Sequence, residues 1–475
     1  MHWIPDRACP RLRSGVGNDK KNIMAEQFTP PFQENPVVLP RDSQEDDYPR
    51  GVQRPTERAG FIIRGGKPLA GEIAVAGSKN AVLPLIAATF LTPELCVFDN
   101  VPDIRDVEIM LTIAEGLGSK VAWDRRTHRL EIESAHLASD APDETLCRKL
   151  RGAVLFAGAL LGRTGRVAMP YPGGDAIGAR PLDTHLHAFE ALGAMVESDT
   201  VIRIDGSAMM GTAVVMDEPS VTATENAILA AVGIKGKTII SLGAMEPHVQ
   251  ELVAFLRAMG ADIGFRDFAR IEINGGAPLR AARWRVNPDE LEISGFAALA
   301  AATRSELAIR NIAPQYLDAV FLQLRKMGVV FSHDGHHLRI MKPALGYKNF
   351  RIQSGLYPKL GSDHLPPFAV LATQARGVSL IHDWMYENRL RYIPELQKMG
   401  ATCEILDPHR ALITGPVALV GCAMESVDIR SGMTLIIAAL VAEDESSLGQ
   451  IEHIDRGYEK IDERLRALGA DITRI

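Results

Sequence analysis

The chain has 475 residues, 46% hydrophobic and 23% charged, enough apolar material for two or three cores. A formal net charge of −7 without a long basic run argues against nucleic-acid binding. No apolar run reaches the roughly 18 residues of a membrane-spanning helix, and the N-terminus lacks a signal-peptide core, so no membrane partner and a cytoplasmic setting are expected. Cys9, Cys96, Cys147, Cys403 and Cys422 lie far apart with no CxxC pair, which fits neither a zinc site nor a disulfide framework.

Residues 1–58 are rich in Pro, Asp, Glu, Arg and Gln and short of apolar clusters. A disordered leader is expected there, with Met24 as an alternative start. From Phe61 the texture changes and a repeat emerges. EGLGSKVAW, EALGAMVES, LRAMGADIG, LRKMGVVFS, LQKMGATCE and LRALGADIT place a glycine at 118, 193, 260, 328, 400 and 469. A glycine that closes an amphipathic run and precedes alternating apolar residues predicts a helix C-cap leading into a strand.

A second series has the same period: SKNAVLPLIAATFL from Ser78, RGAVLFAGALLG from Arg151, TENAILAAVG from Thr224, SGFAALAAAT from Ser294, SDHLPPFAVLATQA from Ser362 and SGMTLIIAALVA from Ser431. These segments are apolar almost all round, which predicts buried helices, most of them opening on a Ser or Thr cap. The chain thus reads as an α/β protein of six βαβαββ-like units, three in each of two domains. Lys79, Arg151, Asp363 and Arg430 fall at the starts of four buried helices, where unpaired N–H groups and the helix dipole attract anions. These ends are expected to converge on one site. Between two of the units, YPGGDAIGARPLD (171–183) is a glycine-rich loop that presents Asp175 five residues before Arg180.

At GSKNAVLP, PGGDAIGARPLD, ENRLRYIPELQKMGA and HIDRGYEKIDERLRALGADI the sequence resembles the UDP-N-acetylglucosamine enolpyruvyl transferases, with similarity from Phe61 to Ile475. The resemblance implies an inside-out α/β barrel of two domains with the active site in the cleft between them. One domain, 79–288, is inserted into the other, made of 59–78 and 289–475. The implied reaction moves the enolpyruvyl group of phosphoenolpyruvate to the 3-hydroxyl of a UDP-sugar, releases phosphate, and begins peptidoglycan synthesis. No metal or organic cofactor is implied, and the oligomeric state stays open.

By the same resemblance, Lys79 matches a lysine that contacts phosphoenolpyruvate, and Arg180 and Arg456 match the arginines holding its phosphate and carboxylate. Arg151, Arg389 and Arg430 occupy further arginine positions that bind substrate or couple domain closure. Asn80, Asp183, Ser220, Val221 and Thr222 match positions that touch the sugar nucleotide, and Tyr386 matches an aromatic position beside the sugar. Asp363 corresponds to the base near the sugar hydroxyl. Asp175 stands where many members carry a cysteine on a loop that closes over the substrates, replacing a soft nucleophile with a group that handles protons.

The sequence departs from the family pattern at Glu218, where a lysine is common, at GSDHLPP around Asp363, at DELEISGF, which keeps Glu292, and at RSGMTL after Asp428. The phosphoenolpyruvate half is therefore better preserved than the sugar-nucleotide half. That asymmetry motivates an alternative reading, a paralogue acting on another nucleotide or nucleoside acceptor. A catalytically idle homologue is a third reading, opposed by the joint retention of Lys79, Arg180, Asp363 and Arg456.

Overall fold

The computed structural model describes residues 59–267 and 269–475, so the leader expected over 1–58 lies outside the described residues. Apolar helices at Lys79–Ala88, Leu155–Thr164, Val221–Gly233, Glu290–Ala302, Leu365–Thr373 and Ile429–Val441 carry buried residues on every side. A helix with no polar face can only be stable when surrounded by other elements. These six helices form the centres of two separate cores, one drawing on residues 61–75 and 293–472 and the other on 81–286.

The capping of these helices corrects the expected starts. Ser78 does cap, accepting from the Ala81 N–H. At three others the helix begins earlier than its Ser or Thr: Asp289 caps Glu290–Ala302, Ser220 precedes Val221–Gly233, and Asp428 caps Ile429–Val441 with bonds from Arg430 and Ser431, whereas Leu365–Thr373 begins after a 3-10 turn that opens on Ser362. Thr224 and Ser294 lie inside their helices and donate back to the Ser220 and Leu291 carbonyls at 2.7 and 3.0 Å. A short hydroxyl satisfied by the preceding turn is tolerated within a helix, so its presence does not mark the start.

Among the described residues the strands form six sheets: four of four strands, one of five and one of three. The glycines at 118, 193, 260, 328, 400 and 469 all have φ between 81° and 108°, the left-handed region that reverses the chain from helix to strand. In each case a helix ends just before the glycine and a strand begins two residues after it.

Two details of topology position the cleft. Strand Phe61–Arg64 lies between Glu445–Gly449 and Asp471–Arg474, antiparallel to both. The chain then leaves the first core and returns to it through adjacent segments: Ser78 N–H bonds the Asn287 carbonyl at 2.7 Å, and Asp289 N–H bonds the Ala76 carbonyl at 2.9 Å. Glu292 secures this crossing by accepting from the Ala76 N–H at 3.0 Å and pairing with Arg464 at 2.7 Å. No helix among the described residues is long and apolar enough to cross a membrane.

Candidate functional site

A cavity of about 290 Å³ lies between the two cores, lined by residues from both. The starts of four buried helices reach it, bringing in Lys79, Arg151, Asp363 and Arg430. The local reason is the caps: a Ser, Asp or preceding 3-10 turn fixes each first turn, and the side chain beside it is the first one free of the core.

At one end of the cavity, Asp106 sits fully buried between two cations, 2.8 Å from Lys79 Nζ and 2.9 Å from Arg456 Nε. Burial works to raise its pKa, but Lys79 and Arg456 outweigh that and hold it below the ordinary carboxylate range. Arg456 also ion-pairs the Asp175 carboxylate through Nη1. Arg180 donates to the Asp175 backbone carbonyl at 2.6 Å, and Arg151 donates to the Arg180 carbonyl at 2.6 Å. Both guanidiniums are thus anchored on backbone oxygens. Among the described residues neither has a carboxylate within ion-pair distance. Burial and the neighbouring Arg180 bring Arg151 down to about 10, which leaves it charged at neutral pH.

Asp363 is held from the other side. Arg389 ion-pairs one carboxylate oxygen and Arg430 Nε lies 3.3 Å from the other. Burial opposes ionisation, yet Arg389, Arg430 and Lys79 together keep Asp363 well below the usual carboxylate range. The Asp363 side chain as a whole is 33% exposed. Arg389 is oriented by Ser362 Oγ at 3.1 Å and Arg430 by the Tyr458 hydroxyl at 3.1 Å. Tyr386 places its ring 5.5 Å from the Arg389 guanidinium.

Part of the cavity lining is acidic. Glu225, Glu246, His248 and Glu290 line it, with Tyr316 and Tyr357. Burial, reinforced by Glu246, raises Glu225 well above the carboxylate range. Burial and Asp289 push Glu290 up to about 8, and burial lowers His248 to about 4. Thr222 and Asn226 hold His185, Asn226 Nδ2 donating to His185 Nδ1 at 2.9 Å. Burial takes His185 down to about 3, so the imidazole is neutral.

Lys79, Asn80, Arg151, Asp175, Arg180, Val221, Thr222, Asp363, Tyr386, Arg389, Arg430 and Arg456 all line this cavity. Asp183 and Ser220 do not. Asp183 is exposed at the start of helix Asp183–Ala191, and Ser220 is the cap of Val221–Gly233. Glu218 is exposed outside the cavity. Sequence reasoning missed Asp106, whose signal was present: it shares the face of Met110, Ile113 and Leu117, four, seven and eleven residues on, all buried. An acid on an apolar helical stripe calls for a buried cation.

The fold is that of the enolpyruvyl transferases. It is similar to the enolpyruvyl transferase NikO from Streptomyces tendae, with a TM-score of 0.81 at 21% identity over 88% of this chain and 99% of that one. It is also similar to EPSP synthase from Acinetobacter baumannii, with a TM-score of 0.69 at 16% identity over 88% and 100%. Residues 63–465 match the family described as EPSP synthase (3-phosphoshikimate 1-carboxyvinyltransferase). The UDP-N-acetylglucosamine 1-carboxyvinyltransferase of Bradyrhizobium diazoefficiens is 40% identical over 426 residues, 87% of this chain and 98% of that protein. That of Treponema denticola is 41% identical over 421 residues, 87% and 98%. The chain belongs to the UDP-N-acetylglucosamine 1-carboxyvinyltransferase family.

Proposed function

We propose that this protein is a carboxyvinyltransferase that moves the enolpyruvyl group of phosphoenolpyruvate to the 3-hydroxyl of UDP-N-acetylglucosamine, releasing phosphate at the first committed step of peptidoglycan synthesis. The observation that carries the reading is the pair Arg151 and Arg180, charged, inside the cavity and without a carboxylate partner among the described residues. Two cations turned into one cavity are balanced by an anionic ligand, and phosphoenolpyruvate brings a phosphate and a carboxylate close together. The names of the relatives favour this acceptor over another nucleotide or nucleoside. We place the reaction in the cytoplasm, where phosphoenolpyruvate is made.

In this reading the sugar oxygen bonds to C2 of phosphoenolpyruvate while a proton arrives at C3. The tetrahedral intermediate then loses the C3 proton and breaks the C2–O bond to phosphate. Lys79, Arg180 and Arg456 bind the phosphate and carboxylate. Asp363, kept ionised by Arg389 and Arg430, takes the sugar proton. Asp175 handles protons on the phosphoenolpyruvate side, and Asn80, Val221, Thr222 and Tyr386 hold the sugar nucleotide. Asp183 and Ser220 reach the acceptor only if it extends beyond the cavity rim.

We read the fold as an inside-out α/β barrel of six repeated units in two domains, 79–288 inserted into 59–78 plus 289–475. The two cores, the six sheets and the six left-handed glycines support that division. The test is phosphate release from phosphoenolpyruvate with a panel of UDP-sugars and nucleosides and no added metal. Release that depends on UDP-N-acetylglucosamine is expected. Release with a nucleoside alone would transfer the reading to another acceptor, and no release with any acceptor would indicate an idle homologue.

A further inference from the structure

We infer that Glu387 is a positioning residue that latches the Asp175 loop to the turn bearing Tyr386 and Arg389, and so couples Asp175 to Asp363. The inference rests on the function proposed above, which gives both carboxylates work in one reaction. Glu387 does not line the cavity, so it touches no substrate there.

The contact is double. Ala179 N–H donates to Glu387 Oε1 at 2.6 Å, and Asn388 N–H donates to the Ile177 carbonyl at 3.0 Å. The loop hangs from the core formed by residues 81–286, whereas the turn leads into Leu390 and Tyr392 of the other core. Gly178 makes the approach possible: a Cβ there would lie 2.5 Å from Glu387 Oε2. The Ala179 N–H, first among the influences on it, holds the Glu387 carboxyl below its usual range.

The turn is itself stiff and tied to Asp363. Buried Asp383 accepts from the Met385 and Tyr386 N–H groups at 2.8 and 3.0 Å. Ser362, next to Asp363 in the chain, donates to Asp383, and Arg389 grips the Asp363 carboxylate. A displacement of the loop therefore pulls on a turn whose other end fixes the acceptor-side carboxylate. Arg456 binds Asp175 from the same core as the turn, but that pair competes with an anionic ligand for the guanidinium. Glu387 closes the loop without drawing on any side chain in the cavity.

Three variants test the latch: Glu387→Ala, Glu387→Gln and Gly178→Ala. Amide hydrogen exchange across residues 173–181 of the ligand-free protein should rise about three- to tenfold in Glu387→Ala, the range expected for one net hydrogen bond. The KM for phosphoenolpyruvate should rise by about the same factor, with kcat falling as well because Asp363 is no longer held in step. Glu387→Gln should stay near wild type, since its carbonyl oxygen still accepts from Ala179. Gly178→Ala should reproduce Glu387→Ala from the other side of the contact.

Unchanged exchange in Glu387→Ala would overturn the latch. Raised exchange with unchanged kinetics would overturn the coupling. Equal impairment of the Ala and Gln variants would also overturn it, because a hydrogen-bond latch survives the isosteric change. Absence of turnover in the wild type would overturn the functional reading instead, and the exchange measurement would still decide whether Glu387 holds the loop.

Discussion

Asp106 and Glu225 are both carboxylates at 0% and 1% exposure on helices that border the same cavity, yet burial leaves them in opposite states. Asp106 is ionised because Lys79 and Arg456 each reach it within 2.9 Å. Among the described residues Glu225 ion-pairs no cation and has Glu246 nearby, so burial raises it well above the ordinary carboxylate range. The desolvation penalty is common to both, and the presence of a cation at hydrogen-bond distance decides the outcome. The same contrast separates Asp175 and Asp363, each gripped by arginine, from Glu225, Glu246 and Glu290, which burial raises above the ordinary carboxylate range.

Breaking the cationic end should have the largest effect. Lys79→Ala and Arg456→Ala each remove a charged contact to the proposed anion and strip a partner from buried Asp106. A lost charge-assisted bond costs about 1.5 to 3 kcal/mol, so kcat/KM should fall at least about tenfold, and the melting temperature should fall with it. Steady-state kinetics and thermal melts check both, and near-normal turnover in the two variants would show that the cations around Asp106 do not hold the reacting anion.

The next effect concerns the pair Asp175 and Arg456. Asp175→Ala should lower turnover severely while leaving acceptor binding mostly intact. Asp175→Cys should keep measurable activity and gain covalent modification by the epoxide fosfomycin, since a thiolate is a soft nucleophile and a carboxylate a poor one. Mass spectrometry after incubation with epoxide and acceptor checks this. An adduct on the wild-type loop, or none on an active cysteine variant, would show that the loop does not lie over the reacting centre.

The protonated carboxyls sharpen the comparison through a smaller effect on stability. Glu290 keeps its proton in the folded protein up to about pH 8, against 4.5 for the ordinary carboxyl. The folded state therefore binds the proton more tightly than the unfolded chain. The associated stability is present below about pH 4.5 and is lost as the pH rises through 8. Glu290→Gln cannot ionise, so its melting temperature should decline less than that of the wild type between these limits. Parallel melting curves across the window would place Glu290 with the ionised group.

Much of this was legible in the sequence, for reasons that differ by residue. The six glycines could be read because a left-handed C-cap admits few other residues. The convergence of Lys79, Arg151, Asp363 and Arg430 could be read from their shared place in the repeat. Helix starts were less accessible, because Thr224 and Ser431 look like caps and only the structure reveals Ser220 and Asp428 in front of them. Glu387 opens the stretch ENRLRYIPELQKMGA, but its contact could not be read: its partner Ala179 is 208 residues away and contributes only a backbone N–H, which has no side-chain identity.

The strand Phe61–Arg64 has a consequence for synthesis on the ribosome. It is the first strand among the described residues, yet its partners are Glu445–Gly449 and Asp471–Arg474, the last two described. The core of residues 81–286 is contiguous and can close as soon as that stretch has emerged, whereas the other core must wait for residues up to 472. During translation the nascent chain thus carries one finished half while Phe61 and Ile63, both 0% exposed in the end, remain uncovered. A ribosome stalled about 40 residues beyond this core, at residue ~330, should already display a protease-resistant 81–286 fragment, and the opening strand should gain protection only when residues 445–474 have left the exit tunnel.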